Sequence, residues 1–150
     1  MAHTYTDLLV HVIFSTKDRA PWLDSELKPR LFPYMGGVVR ELGGSALLIN
    51  GPADHIHMLF LLPARLALSE IIGKVKANSS GWIHREFPKY RAFAWQTGYA
   101  AFTVSRSRKQ AVLSYIMNQE EHHQVHTFTE ELIAFLKRHE VQYDERYIFE

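Results

Sequence analysis

The chain contains no cysteine in 150 residues, which excludes a disulfide framework and any thiolate metal site. Net charge is nearly absent too. Seventeen Lys and Arg stand against 16 Asp and Glu, leaving +1 with histidine neutral, so the sum alone identifies no partner. Long hydrophobic runs are missing: Leu8 to Phe14 and Met58 to Leu62 are far too short to span a bilayer. The opening Met1-Ala2-His3-Thr4-Tyr5 has no basic stretch followed by an apolar one, the pattern a secretory signal needs. These absences, with 47% hydrophobic and 22% charged residues, read as one cytoplasmic domain over 1–150. The length suffices for a core without staples.

What is present is unevenly distributed. Between Lys74 and Lys109 lie Lys74, Lys76, Arg85, Lys89, Arg91, Arg106, Arg108 and Lys109, with Glu86 as the only acid. Trp82, Phe87, Tyr90, Phe93, Trp95, Tyr99 and Phe102 are interleaved with them. Cations can meet phosphates and rings can stack on bases, so this stretch has the composition of a nucleic-acid surface. It equally describes a solvated basic face over an aromatic core.

Periodicity predicts the elements. Leu8 to Phe14 reads as a strand buried on both faces, followed by a helix whose regular part is placed after Pro33 and which ends at Gly43-Gly44. Ala46 to Asn50 and His55 to Leu62 form a hairpin around Gly51-Pro52-Ala53-Asp54. Ser69 caps a helix running towards Trp82, and Ala94 to Val104 contains a strand broken near Gly98. Ser107-Arg108-Lys109-Gln110 and Thr127-Phe128-Thr129-Glu130 both match capping boxes that open helices. The order strand, helix, strand, strand, helix, strand, then helices predicts an α+β fold: a ferredoxin-like split βαβ antiparallel sheet. Its helices lie on one face, leaving the other for a ligand or partner.

Two groups carry chemistry. His55 and His57 sit two apart in an apolar strand, so both imidazoles project from one face. Hydrogen bonding to backbone would explain one strand histidine; two on one apolar face call for a compensating partner, and a divalent metal is the natural one. Tyr115 and Gln119 are four apart on a helix and share a face. A tyrosine there is usually a packing residue, and a glutamine a surface residue. Paired beside a metal, the first becomes a hydroxyl nucleophile and the second a neutral oxygen ligand suited to Mg²⁺ or Mn²⁺. His122 and His123 are rival third ligands, His123 lying four residues beyond Gln119.

Ala53-Asp54-His55-Ile56-His57, Trp95-Gln96-Thr97-Gly98-Tyr99 and Tyr115-Ile116-Met117-Asn118-Gln119-Glu120-Glu121-His122-His123 together resemble the single-tyrosine HUH transposases of bacterial and archaeal insertion sequences, REP-associated tyrosine transposases included. Lys17-Asp18-Arg19 and Arg40-Glu41-Leu42-Gly43-Gly44 fit the same family, and the likeness spans Leu8 to about Tyr147. It implies one Mg²⁺ or Mn²⁺ held by His55, His57 and Gln119. It also implies that Tyr115 attacks single-stranded DNA to leave a 5′-phosphotyrosine link and a free 3′-OH. Homodimers are implied, with the sheet continued across subunits and Tyr115 serving the partner's histidines in trans, as are hairpin-marked element ends as substrate. Lys74, Lys76, Arg106, Arg108 and Lys109 are candidates, from charge alone, for holding DNA phosphates.

Two other functions fit parts of this pattern. A domesticated relative acting on repeated extragenic hairpins would share the chemistry. A metal-free nucleic-acid-binding module would stack bases on strand aromatics, which requires exposed rings on the central strands.

Overall fold

The computed structural model describes residues 3–148. Strand β1 (Leu9–Ser15), helix α1 (Lys28–Glu41), β2 (Ser45–Asn50), β3 (His55–Leu61), α2 (Leu68–Glu86) and β4 (Ala100–Thr103) succeed one another, followed by α3 (Lys109–Met117), α4 (Gln119–His122) and α5 (Phe128–Arg138). The sheet order is β2-β3-β1-β4, antiparallel at every step. This is the α+β split βαβ arrangement that the element order predicts. No helix among the described residues is long and apolar enough to cross a membrane.

The pleat of the two central strands divides the core. Val10, Val12 and Phe14 of β1 stand opposite Phe60, Met58 and Ile56 of β3. All six pack with Leu31, Met35 and Val39 of α1 and Ile71, Ile72 and Val75 of α2. Alternate residues point the other way. Ile13 joins Phe102, Phe128, Leu132, Phe135 and Leu136, while Leu9 joins Leu59 and Ile116. The face that a bare split βαβ sheet would leave open is therefore roofed by α3 and α5. Every residue of β1 is buried for that reason.

Local signals resolve in different ways. Helix α1 starts at Lys28 and carries Pro33 inside it, rather than becoming regular after it. Pro29 suits the first turn and Pro33 forfeits a single backbone bond, which the buried stripe Leu31, Met35, Val38 and Val39 outweighs. Helix α2 begins at Leu68 with Ala67 as N-cap, so Ser69 lies within its first turn and caps nothing. Ser107 also fails as a cap: its hydroxyl pairs with that of Ser105 at 3.0 Å, and α3 starts at Lys109 after a 3₁₀ turn over Arg106–Arg108. The Thr127 box forms with both reciprocal bonds, Glu130 N–H to Thr127 Oγ1 at 3.2 Å and Thr127 N–H to Glu130 Oε1 at 3.2 Å.

Of the stretch from Ala94 to Val104, only Ala100–Thr103 pairs as a strand, with Trp95 in an isolated bridge to Thr16. The carbonyls of Gln96, Thr97 and Gly98 accept instead from the Lys76 ammonium. The Gln96 side chain accepts from Ser15 N–H at 2.7 Å, and Trp95 Nε1 donates to Ser79 Oγ at 2.9 Å. The Trp-Gln-Thr-Gly-Tyr segment thus ties α2 to the end of β1.

Gly51 sets the approach to β3. A Cβ there would lie 2.1 Å from the His55 carbonyl oxygen, so any side chain displaces the start of the strand. Gly51→Ala is expected to lower stability by about 2 kcal/mol or more. Thr127→Ala, which removes one cap, should cost about 1 kcal/mol. Denaturant unfolding of both variants checks the order of the two effects.

Candidate active site

Residues of β3, α3, α4 and α5 converge beneath the C-terminal roof. His55 and His57 project from β3 away from α1 and α2, and both are fully buried. They occupy the odd positions of a strand whose even positions fill the main core. Between them and α3 lies the Glu131 carboxylate, 3% exposed. Its Oε1 accepts from His55 Nε2 at 3.1 Å, His57 Nε2 at 2.9 Å and His123 Nε2 at 3.1 Å. Its Oε2 accepts from the Tyr115 hydroxyl and from Gln119 Nε2 at 3.3 Å, with His122 Nε2 also 3.3 Å away. The Tyr115 oxygen is 3.2 Å from His122 Nε2.

All the residues singled out for chemistry thus meet at one point. The helix that should carry Tyr115 and Gln119 continuously is interrupted at Asn118, with φ −98° and ψ 25°. Gln119 still reaches the cluster and is fully buried, its Nε2 3.4 Å from the Tyr115 carbonyl. Asn50 anchors the end of α3 to β2, its Nδ2 donating to the Ile116 carbonyl at 2.9 Å. Both Tyr115 and the histidines belong to the same chain in this arrangement.

Burial and neighbouring charge set the proton occupancy. Burial alone would raise the Glu131 pKa, but hydrogen bonds from His123, His55 and His57 override it and hold the carboxylate well below its usual range. Burial pulls His57 down to about 4 and His11 down to about 3, so both rings are neutral near pH 7. Burial also works against a charged His55, yet its bonds to Asp54 and Glu131 raise its pKa above the ordinary value. Tyr115 is pushed up, first by burial and then by its bond to Glu131, and its phenol is protonated.

A second layer orients the imidazoles. His55 Nδ1 is 2.7 Å from Asp54 Oδ1, and His57 Nδ1 is 2.8 Å from His11 Nε2. Carboxylate and imidazole partners of this kind fix ring orientation in metal sites. Ligand atoms of His55, His57, His123 and Glu131 lie within 4.8 Å of one another, close enough to share one ion. Among the described residues, Gln119 Oε1 is the one buried side-chain oxygen or nitrogen without a hydrogen-bond partner. Facing the anionic carboxylate, the amide presents its N–H₂; a half-turn would present the oxygen to a cation instead. Three imidazoles, a carboxylate and an unpartnered amide oxygen fit a divalent metal.

Glu131, His11, Asp54 and Arg138 are the site residues that sequence reading missed. One signal for Glu131 was present: Phe128, Glu131, Leu132, Phe135 and Leu136 follow the i, i+3, i+4, i+7 spacing of one helical stripe. A carboxylate on that stripe must be buried with partners. His11 is likewise the polar interruption of an apolar strand.

The candidate DNA contacts are not equivalent. Lys74 is exposed and Lys76 partly buried, both on α2 across the sheet from the histidines. The Lys76 ammonium lies over Phe14 as well as bonding the three carbonyls, and burial brings its pKa to about 8. Arg106 pairs with Asp7 at 2.7 Å, and Lys109 begins α3. Arg108 lines a cleft of about 350 Å³ with His11, Phe102, Arg138 and His139. Arg138 also borders a smaller cleft of about 140 Å³, lined by Tyr115, His122, Glu130 and Glu131.

The chain matches the IS200-like transposase family over residues 4–119. It is 29% identical over 130 residues to the transposases of insertion sequence element IS200 from Salmonella typhimurium and Salmonella typhi, covering 81% of this chain and 82% of each relative. Among solved structures, a Deinococcus radiodurans chain assigned as a transposase superposes with a TM-score of 0.65 at 22% identity, over 79% of this chain and 96% of that one. A REP-associated tyrosine transposase bound to a REP hairpin superposes with a TM-score of 0.61 at 12% identity, over 82% and 73%. With most of its length matched, its split βαβ sheet and its buried histidine cluster, this chain belongs to the IS200-like transposase family.

Proposed function

We propose that this transposase cleaves and rejoins single-stranded DNA through Tyr115, at hairpin-marked ends of a mobile element. In this reading Mg²⁺ or Mn²⁺ is held by His55, His57 and Gln119. One observation carries it: the Tyr115 hydroxyl and the His55 and His57 rings share a single buried carboxylate. A hydroxyl nucleophile and a nitrogen ligand pair rarely meet by packing alone, since each buried polar group needs its own partner.

Tyr115 Oη attacks the scissile phosphorus, forming an O–P bond as the bond to the 3′-oxygen breaks. The products are a 5′-phosphotyrosine and a free 3′-OH, the phenolic proton passing in net to the leaving oxygen. Reversal by another 3′-OH joins strands without ATP, because the ester is conserved. A bound divalent ion would withdraw charge from the phosphate oxygens under attack. Asp54 and His11 orient His55 and His57.

DNA is expected to enter beside α5, where Arg108 and Arg138 border the two clefts and can meet its phosphates. The REP hairpin held by the structural neighbour supports a hairpin substrate. The reading includes a homodimer. Exchange of Tyr115 between subunits would require α3 to leave its own chain's histidines, where it now lies. A metal-free stacking module is disfavoured, because β1 is buried throughout and β3 at every residue but its last.

Incubation with labelled single-stranded DNA from the flanks of its own gene, with Mn²⁺, should give a covalent adduct on a denaturing gel. Tyr115→Phe and chelation should each reduce it by at least a thousandfold (~4 kcal/mol). A wild-type adduct that persists in Tyr115→Phe would sink the assignment.

Arg108→Ala and Arg138→Ala should each weaken binding of single-stranded DNA. Each should also make the plot of log Kd against log salt shallower by about 0.7. Unchanged slopes would move the DNA path elsewhere.

The pH dependence follows from His55. Its folded pKa lies above the ordinary 6.5, so its stabilising pair with Glu131 is complete below that pH and is lost as pH rises through the folded value. Metal binding needs the same proton removed. Calorimetric Mn²⁺ affinity should therefore rise as pH is raised from 6 to 8.

A further inference from the structure

Glu131 lies on α5, beyond the residues 4–119 that the family match covers. It is nevertheless the centre of the site. Its two oxygens face different groups: Oε1 meets the Nε2 atoms of His55, His57 and His123, and Oε2 meets the Tyr115 hydroxyl and the Gln119 amide. We infer that Glu131 is a ligand of the divalent metal through Oε1 and, through Oε2, the residue that positions Tyr115 against it. The inference rests on the metal-dependent tyrosine reading above.

The geometry supports both halves. Among the three imidazole nitrogens, all within 4.8 Å, Glu131 supplies the anionic oxygen that Mg²⁺ and Mn²⁺ prefer. Histidine and glutamine alone would leave the ion without a charged ligand. His55, His57 and His123 would hold the ion through the Nε2 atoms that now donate to Oε1, their protons lost to solvent or carried on Nδ1, and Oε1 would then have the ion as its partner. The second oxygen is free of that exchange and continues to hold the phenol.

Helix α5 is well built for the task. The Thr127 capping box fixes its first turn, and Phe128, Leu132, Phe135 and Leu136 bury its stripe against Ile13 and Phe102. Glu131 therefore cannot swing away without opening that cluster. Metal occupancy and nucleophile placement are thereby coupled through one carboxylate held in place by α5.

The test uses the full chain, Mn²⁺ and the same flanking single-stranded DNA, with the isosteric Glu131→Gln and the shortened Glu131→Asp. Calorimetry gives Mn²⁺ Kd, single-turnover adduct formation gives the rate, and circular dichroism establishes that each variant is folded. Glu131→Gln should weaken Mn²⁺ by at least about tenfold. Its adduct rate should stay at least about tenfold low after Mn²⁺ is raised enough to refill the site. Glu131→Asp should recover part of the affinity, since it keeps the charge, and less of the rate, since its oxygen no longer reaches Tyr115.

Equal Mn²⁺ affinity in wild type and Glu131→Gln overturns the ligand. Full recovery of rate at saturating Mn²⁺ overturns the positioning role. If the wild type binds no Mn²⁺ at all, the metal-dependent reading fails with it; a Tyr115→Phe chain that still binds Mn²⁺ normally keeps that reading separate from this one.

Discussion

A single carboxylate, buried among three imidazoles and a phenol, organises the functional half of this molecule. Glu131 would be an untenable residue in the stripe of α5 were it not surrounded by donors. The histidines of β3 would be equally awkward neighbours without an anion. Each makes the other's burial possible. The result joins the central strand of the sheet to α3, α4 and α5 by hydrogen bonds rather than by apolar contact alone. Carboxylate and imidazoles are thereby held together as one compact set of donor atoms.

This arrangement explains why the second face of the sheet is closed. The even positions of β1 and β3 make an ordinary core with α1 and α2. Odd positions mix apolar and polar side chains: Leu9, His11 and Ile13 on β1, and His55, His57 and Leu59 on β3. The apolar ones bind the C-terminal helices by burial; His55 and His57 are satisfied by Glu131 of α5, and His11 by His57. The roof is thus both the second hydrophobic layer and the source of the carboxylate that the β3 histidines bond.

The clefts beside α5 give this closed site a way out to solvent. Tyr115 borders one and His11 the other, and Arg138 borders both. Charge that looked evenly scattered between Lys74 and Lys109 is divided by the fold. Lys74 and Lys76 go with α2 to the far layer, where Lys76 holds the loop after Trp95, while Arg108 stays on the layer of Tyr115.

The amino-acid sequence by itself determined the sheet and its helices, because alternation and 3.6-residue periodicity are local properties set by where apolar side chains recur. It also paired His55 with His57, and Tyr115 with Gln119, on common faces, because same-face spacing is local as well. Caps were less legible: Thr127 could form its box, whereas Ser69 and Ser107 could not, since helix α2 begins one residue earlier and a 3₁₀ turn precedes α3. What the tertiary structure alone decided was convergence. Glu131 is 74 residues from His57 and 16 from Tyr115, and no spacing rule connects positions on three separate elements. Only packing α5 across the sheet puts its one buried carboxylate against those rings, and burial then forces them to become one another's partners.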